Sequence, residues 1–314
     1  MSRNWDQTLK DWAETINDTG EKRGSAAREA IEKAIRSSPK LATKNIQIRV
    51  VGSYGNSTNT RLDSDIDIIV VLRDVFFYEF PSDRSVNGET LRVQDNALVF
   101  EAFRADVGTA LRQHFPASSV TQGNKAFDVR AAGDRLDADV AVFLAHRRYT
   151  GKKKANGEWE FLEGIELRPQ SAPSERIVNW PEQHQARAAA KNEETNRRFK
   201  RLVRIFKHLR ADMRDTGSAE QKSDAGQVGT FFLECLVFNA PNACFNREQG
   251  GYIEDMRQVL RFLLNATKPG ADGKKLVEVS GLKPLFGPAG RTQEQAYKFL
   301  KAAEARIFGA GALS

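Results

Sequence analysis

Two aspartates separated by one residue form the most chemically suggestive segment of the chain. Asp65 and Asp67 flank Ile66, and the residues at 68–72 are all apolar. Such a segment is typical of a strand, and residues two apart on a strand project from the same face. Two neighbouring carboxylates repel each other, and a divalent cation that prefers oxygen ligands would relieve the repulsion. Asp65 and Asp67 are therefore candidate ligands for Mg²⁺; the alternative is a solvated acidic edge.

The turn before this segment has residues suited to a phosphate group. We predict a strand over 46–51, and Gly52 and Ser53 end it, twelve positions before Asp65. A glycine lets backbone N–H groups approach an anion closely, and the Ser53 hydroxyl is a further donor. A short helix beginning near Ser53 would direct its positive N-terminus toward the same anion. The spacing therefore predicts phosphate donors beside a metal-binding acid pair.

A third acid is available further along the chain. The segment 135–144 is predicted to be a strand, and Asp137 and Asp139 project from one of its faces, opposite Leu136, Ala138 and Val140. Three carboxylates are what a pair of Mg²⁺ ions needs for phosphoryl or nucleotidyl transfer.

The remaining elements predict a mixed α/β lobe, over residues 1–170, followed by a helical lobe, over 171–314, with a cleft between them. Strand signals lie mainly before residue 170 and helical periodicity mainly after it. Helices are predicted over two segments within 4–38, and over 98–114, 184–215, 227–239, 251–267 and 291–308. Further strands are predicted at 126–131 and in a hairpin over 157–168, with a loop at 169–181.

Composition excludes several classes of protein. The 314 residues have a net charge of +7 and 40% hydrophobic residues, which is a globular balance. No apolar run is long enough for a membrane span, and the first residues resemble no signal peptide. Two cysteines form no disulfide framework and no zinc spacing occurs. We therefore expect a cytoplasmic protein without a membrane partner. A monomer is expected as well, although no feature of the composition indicates the oligomeric state.

Three segments together resemble a known family. The pattern GSYGNSTNTRLDSDID at 52–67 resembles the DNA polymerase β-like nucleotidyltransferases, and within them the bacterial cGAS/DncV-like enzymes (CD-NTases) of CBASS antiphage systems, most of all their E clade. The segment ADVAVFLAHRRY at 138–149 is similar to the family's third-aspartate strand, and FFLECLVFNAP at 231–241 to its helix near the nucleotide base. The resemblance runs from about residue 46 to residue 241.

The resemblance assigns roles to the acids and the turn. It implies that Asp65, Asp67 and Asp139 are the catalytic metal ligands for two Mg²⁺ ions, with Mn²⁺ as a substitute. Asp139 is preferred to Asp137 because it directly precedes the apolar Val140, as the family's acid does. Gly52 and Ser53 match the residues that hold the donor triphosphate.

A basic helix is a further candidate for nucleotide binding. Lys200, Arg204 and Lys207 lie on one face of the predicted helix, and the alternative is a solvated basic face. The resemblance matches Lys207 to a triphosphate-binding lysine. It also matches Thr230 to a phosphate-contacting hydroxyl and Phe231 to an aromatic ring that stacks on a base.

Asn179 suggests which nucleotide is used. Its amide could pair with the edge of a uracil, and E-clade members with Asn at this position favour pyrimidine nucleotides. The alternative is a buried Asn that caps the turn before Pro181. UTP is therefore the expected substrate, with ATP as a further candidate.

The resemblance implies an enzyme that makes a cyclic dinucleotide from NTPs and signals to a downstream effector, without an obligatory nucleic acid. Two alternatives stay open on the residues alone. One is a nucleotidyltransferase that acts on RNA, a protein or a small molecule. The other is a basic nucleic-acid-binding module, which would use the 197–210 helix and Lys152, Lys153 and Lys154 to contact phosphates.

Overall fold

The computed structural model describes residues 3–15, 18–60, 65–83, 85–245, 251–287 and 290–313. The helices are α1 Trp5–Ala13, α2 Asp18–Arg36, α3 Gly52–Gly55, α4 Gly88–Leu91, α5 Ala97–His114, α6 Pro181–Glu194, α7 Arg198–Thr216, α8 Ala219–Gly226, α9 Thr230–Asn239, α10 Gly251–Thr267 and α11 Gln293–Phe308. The strands are β1 Ile46–Val50, β2 Ile66–Glu79, β3 Val120–Gln122, β4 Ala126–Val129, β5 Ala138–Lys153, β6 Trp159–Leu167 and β7 Ile177–Asn179.

The chain divides into two compact units. The sheet unit comprises Asn17–Gly55 and Arg61–Pro181, and the helical unit comprises Met1–Ile16, Asn56–Thr60 and Glu182–Ser314. This confirms the predicted mixed α/β lobe followed by a helical lobe, although the boundary lies eleven residues after the predicted one at 170. The difference arises because β7, within the predicted loop, pairs with β6 and so belongs to the sheet.

The first helix also belongs to the helical unit, contrary to the prediction. The Arg3 guanidinium donates to Asp212 at 2.8 Å, and the Trp12 ring stacks on His208 at 5.7 Å. These contacts attach the start of the chain to α7.

The sheet is mixed and has long central strands. Within the described residues its strand order is β1-β2-β5-β4-β3. Outside this path, β6 pairs with β5 and β7 pairs with β6. The β2–β5 pair is parallel, and the other neighbours are antiparallel. Apolar residues of β2 and β5 pack with α2 and α5 into one core that includes Ile31, Ile68, Phe100, Val107 and Val140.

The core of the helical unit is built around α7. The predicted apolar face of this helix is confirmed, since Phe199, Leu202, Val203, Phe206 and Leu209 are fully buried. A single helix over 184–215 is wrong, because Asn196 and Arg197 have positive φ values of 47° and 62° and separate α6 from α7.

The structure adds α8, which the sequence analysis did not predict. No helix in the described ranges has the length and apolar character that crossing a bilayer requires.

Candidate active site

Gly52 lies where the backbone approaches the Asp67 side chain. Its φ of +62° falls in the left-handed region that favours glycine. A Cβ here would overlap the Asp67 carboxylate oxygen Oδ2 and lie 2.9 Å from Asp67 Cγ. The Val51 N–H donates a 2.9 Å hydrogen bond to the Asp67 carbonyl oxygen. The turn therefore packs directly against this carboxylate. The short helix α3 begins at the turn, as expected, and includes the half-buried Ser53.

Three aspartates form a row across three neighbouring strands. Asp67 on β2 is paired in register with Asp139 on β5, and Asp139 is paired with Asp128 on β4. Residues opposite each other on adjacent strands project from the same face of a sheet. Val140, next to Asp139, is fully buried, so the acidic row faces away from this part of the core. Asp65 directly precedes β2 and is close enough for its charge to act on Asp139.

Asp139 has a strongly perturbed acidity. Its pKa is raised from the ordinary value of 3.8 to about 6. Burial is the largest cause, followed by a side-chain hydrogen bond with Asp128 and the negative charges of Asp128, Asp67 and Asp65. Like charges at short range disfavour one another's ionisation. The sheet therefore concentrates carboxylates at one place, where a positive charge would be strongly favoured.

The donor set fits the predicted cation. Carboxylate oxygens are the ligands that Mg²⁺ and Mn²⁺ prefer, and Asp65, just before β2, and Asp67 on β2 lie near enough to Asp139 on β5 for their charges to act on it. Among the residues that the structure describes, no three Asp, Glu, His or Cys side chains already form a metal-binding cluster. The predicted ligands thus share a face without forming a closed cage.

Asp137 has a different role. It is exposed, it precedes β5, and its Oδ1 accepts a 2.6 Å hydrogen bond from the Ala131 N–H. This bond fixes the loop that leads into β5. The choice of Asp139 over Asp137 as the third ligand stays a prediction, and this geometry favours it.

Asn179 lies at the end of β7 and is exposed. Its register partner on β6 is Ile165. The alternative that Asn179 is buried and caps a turn is therefore wrong. The structure leaves its amide accessible to a ligand, and its pairing with a base stays a prediction.

The basic face of α7 is not solvated. Arg204 and Lys207 are only 5% and 6% exposed, so the alternative of a solvated basic face is wrong for both. Arg204 donates from Nε to the Ala13 carbonyl at 2.8 Å and from Nη1 to the Ser57 carbonyl at 2.8 Å. Burial lowers its pKa to about 10. These bonds give Arg204 a structural task, and its assignment as a phosphate contact stays a prediction.

Lys207 and Lys200 differ in their surroundings. Lys207 Nζ donates to the Thr58 carbonyl at 3.0 Å and to Thr58 Oγ1 at 2.9 Å, which fixes the 56–60 loop against α7. Lys200 is half-buried, and burial lowers its pKa although the nearby Glu234 opposes the shift. Both stay predicted nucleotide contacts. The burial of Arg204 and Lys207 leaves less of this face available to the phosphates of either a nucleic acid or a nucleotide.

Thr230 and Phe231 begin α9 and are exposed. The Phe231 ring is 42% exposed, whereas most large apolar side chains of the helical unit are buried. The His184 ring stacks on it at 5.8 Å with an interplanar angle of 26°, and the Arg291 guanidinium lies 5.3 Å from its centroid. His184 and Arg291 thus lie against the ring, and its exposed part is available for contact with a base; stacking of Phe231 on a base stays a prediction.

Two features of the site were missed by the sequence analysis. Asp128 is one, since nothing in the local sequence AFDV shows that it pairs with Asp139. The other is the buried carboxylate of Glu234, which contacts His184 Nε2 at 3.0 Å and accepts from Asn56 Nδ2 at 3.3 Å. Burial raises the pKa of Glu234, but His184, Lys207 and Lys200 outweigh that effect and the net pKa is lowered.

Two family models match the chain, one in each unit. The nucleotidyltransferase domain matches residues 29–116, which include Gly52, Asp65 and Asp67. The cGAS/DncV-like nucleotidyltransferase C-terminal helical domain matches residues 186–307, which include α7 and α9.

Full-length relatives match both units together. The cyclic dipyrimidine nucleotide synthase CdnE of Legionella pneumophila is 32% identical over 91% of this chain and 92% of its own length. A cyclic dipurine nucleotide synthase of Elizabethkingia meningoseptica is 30% identical over 94% of this chain and 96% of its own. The solved structure of Rhodothermus marinus CdnE c-UMP-AMP synthase with Apcpp and Upnpp has a TM-score of 0.80 and 28% identity, and the match covers 98% of this chain and 97% of that one. With this identity and coverage, the chain belongs to the CdnE group of cGAS/DncV-like nucleotidyltransferases.

Proposed function

We propose that this protein makes a cyclic dinucleotide from NTPs and uses UTP for at least one of the two nucleotides, so that the product is cyclic di-UMP or cyclic UMP-AMP. Membership of the CdnE group supports the reaction type. It leaves the bases open, because relatives of similar identity are a dipyrimidine synthase and a dipurine synthase. The exposed amide of Asn179 is the reason for proposing UTP.

The reaction is two rounds of nucleotidyl transfer. In the first, a ribose hydroxyl oxygen of one nucleotide attacks the α-phosphorus of an NTP, the bond from that phosphorus to the bridging oxygen breaks, and pyrophosphate leaves. The hydroxyl proton is released. In the second, a hydroxyl at the other end of the linear dinucleotide attacks its own remaining α-phosphorus, and a second pyrophosphate leaves.

Asp65, Asp67 and Asp139 are proposed to hold two Mg²⁺ ions. When bound, Mg²⁺ supplies a more acidic attacking hydroxyl and charge neutralisation for the leaving pyrophosphate. Gly52 brings the backbone next to Asp67, and the Ser53 hydroxyl follows it, so that both are suited to hold phosphate oxygens. The protein then contributes position and electrostatics rather than covalent chemistry.

The helical unit is proposed to bind nucleotide through α7 and α9. Lys200 is half-buried and lies near Glu234. Glu234 is on α9, one turn after Phe231. Lys200 and Lys207 would contact phosphates, the Thr230 hydroxyl would donate to a phosphate oxygen, and the Phe231 ring would stack on a base.

We further propose that the product is a diffusible signal in antiphage defence, read by an effector protein. The basis for this is membership of the CdnE group together with the resemblance to CBASS enzymes.

The register that sets Asp67 opposite Asp139, with Gly52 packed on Asp67, is the observation on which the proposal depends. Its test is product identification by chromatography and mass spectrometry after the purified protein is incubated with all four NTPs and Mg²⁺. We expect a uridine-containing product lighter than its two NTPs by two pyrophosphates. A single-nucleotide addition product would instead indicate another acceptor, and product from ATP and GTP without a pyrimidine would remove UTP from the proposal.

A matched pair of variants tests the third ligand. Asp139→Asn should abolish product formation, whereas Asp137→Asn should retain it, because an Asn oxygen can still accept the Ala131 N–H. Full activity of Asp139→Asn with Mg²⁺ would show that the ligand is assigned wrongly.

A further inference from the structure

The residue that follows Asn179 is an aromatic anchor. Trp180 is only 3% exposed, although Asn179 beside it is exposed. The His146 ring meets the Trp180 ring edge-on at 5.5 Å with an interplanar angle of 88°, and the Arg148 guanidinium lies 4.6 Å from its centroid. The end of β7 is thus held by the Trp180 side chain, which lies between side chains of β5.

Gly164 on β6 provides the space for this anchor. A Cβ at this position would lie 2.8 Å from the Asn179 carbonyl oxygen and 2.8 Å and 2.9 Å from two carbons of the Trp180 ring. The next residue, Ile165, is the register partner of Asn179. Any side chain at position 164 must therefore push the end of β7 away from β6.

The platform under the anchor is rigid. His146 and Glu166 are fully buried, and His146 Nδ1 lies 2.8 Å from Glu166 Oε2. Arg176 donates to both oxygens of Glu166, at 2.9 Å and 2.8 Å. Because the ring of His146 is held from below by the buried carboxylate of Glu166, a displacement of Trp180 would be taken up by β7 rather than by β5.

We propose that Gly164 and Trp180 are positioning residues for nucleotide selection, which act by fixing the position of the Asn179 amide. This inference rests on the proposed function, in which that amide recognises a pyrimidine. Hydrogen bonds are directional and weaken steeply when the geometry departs from linearity. A displacement of β7 by a few tenths of an ångström would therefore weaken recognition of the correct base while leaving the distant acidic row unchanged.

Two substitutions test the inference. Gly164→Ala adds the Cβ that would collide with Asn179 and Trp180. Trp180→Phe removes part of the anchor; the indole N–H has no hydrogen-bond partner among the described residues, so the change removes volume without breaking a hydrogen bond. Asn179→Ala is the benchmark, and Gly226→Ala is the matched control, since a Cβ there meets nothing within 4 Å.

Each purified protein is given equal concentrations of the four NTPs with Mg²⁺, and the ratio of pyrimidine to purine in the product is measured. Binding of non-hydrolysable UTP and ATP analogues is measured in parallel. We expect Gly164→Ala and Trp180→Phe to lower the pyrimidine-to-purine ratio at least fivefold, in the direction of Asn179→Ala, and to weaken UTP-analogue binding more than ATP-analogue binding. Gly226→Ala should match the wild type.

The outcomes separate this inference from the proposed function. If the wild type makes a pyrimidine-containing product and the Gly164 and Trp180 variants lose activity equally with every nucleotide, their role is only structural and the inference is wrong. An unchanged ratio in Asn179→Ala would overturn it as well. If the wild type forms no cyclic product from any NTP mixture, the proposed function itself fails.

Discussion

The Asp139 carboxylate, the proposed third metal ligand, lowers the stability of the folded protein when it is ionised. It is partly buried beside three other acids, and its pKa is raised from 3.8 to about 6. The folded protein therefore holds this proton more tightly than the unfolded chain does. The free energy of unfolding contributed by this group must fall as the pH rises from 3.8 to about 6, and it stays reduced above that range.

Asp139→Asn should consequently stabilise the protein while removing its activity. At pH 7.5 with a chelator present, we expect the free energy of unfolding to rise by about 1 kcal/mol, a value reduced to allow for the partial exposure of the side chain. Urea denaturation of both proteins at pH 7.5 and pH 4 measures the effect, which should vanish at the lower pH. A variant less stable than the wild type at pH 7.5 would contradict the repulsion argument.

Gly52 is the second residue whose substitution should affect the site, because its backbone packs against Asp67. Gly52→Ala places a side chain in the left-handed region and in the volume of the Asp67 carboxylate. We expect a loss of about 1–3 kcal/mol in stability and at least a hundredfold loss of turnover, because Asp67 must move. Denaturant unfolding and initial rates of pyrophosphate release measure the two effects.

Gly133 is the matched control for that substitution. Its φ of +61° is nearly the same, but a Cβ there meets nothing within 4 Å. Gly133→Ala should show the backbone strain alone, with near-normal turnover. Equal losses of turnover in the two variants would mean that the contact with Asp67 is unimportant.

At the scale of the element, the break between α6 and α7 is a helix boundary that apolar periodicity does not predict. Residues 191–198 (KNEETNRR) contain no apolar residue, so periodicity gives no information there, and Asn196 and Arg197 adopt positive φ values that end one helix before the next begins. The Arg197 side chain is 75% exposed and forms a 4.0 Å ion pair with Glu193. Such a surface pair contributes little to stability.

Arg197→Gly should therefore stabilise the protein by about 0.5–1 kcal/mol, since glycine adopts a positive φ without strain. Arg214→Gly, an exposed position in the last turn of α7, is the matched control and should destabilise the protein, because glycine has low helix propensity and the change removes a cation from the helix C-terminus. Thermal and urea unfolding compare the three proteins. If both variants are destabilised equally, the backbone at position 197 is not strained.

The sequence predicts the elements of the site better than their pairing. Alternation and β-branched residues place Asp67 and Asp139 on strands, and the spacing of Asp65 and Asp67 indicates a shared face. The pairing of Asp128 with Asp139 cannot be predicted from these patterns, because the register between strands is set by packing of the whole sheet. The three-residue strand β7 escapes prediction because it is too short to show a period.

The buried side-chain contacts of α7 could not be predicted from the sequence either. Its apolar face was predicted, but the burial of Arg204 and Lys207 depends on contacts with Ser57 and Thr58, which lie 147 and 149 residues earlier in the chain. Contacts of this kind depend on tertiary packing rather than on local sequence. The sequence therefore predicts the residue types of the site, whereas the structure shows which of them also have structural tasks.

For the molecule as a whole, the acidic row predicts a link between cation binding and stability. A ligand that binds only the folded state stabilises it by RT ln(1 + [L]/Kd), which is about 1.4 kcal/mol at ten times Kd. Mg²⁺ would also relieve the repulsion that raises the pKa of Asp139. Raising Mg²⁺ from a chelated state to such a concentration should thus increase the thermal midpoint of the wild type by a few degrees.

This effect should depend on the acidic row and not on general screening of charge. Asp139→Asn should lose most of the Mg²⁺-dependent stabilisation, whereas Asp137→Asn should retain it, because Asp137 is committed to the Ala131 N–H. An equal ionic strength of NaCl is the control for screening, which acts on all exposed charges alike. A midpoint that rises equally with NaCl and MgCl₂, or equally in Asp139→Asn and the wild type, would show that the three aspartates do not bind the cation in the folded protein.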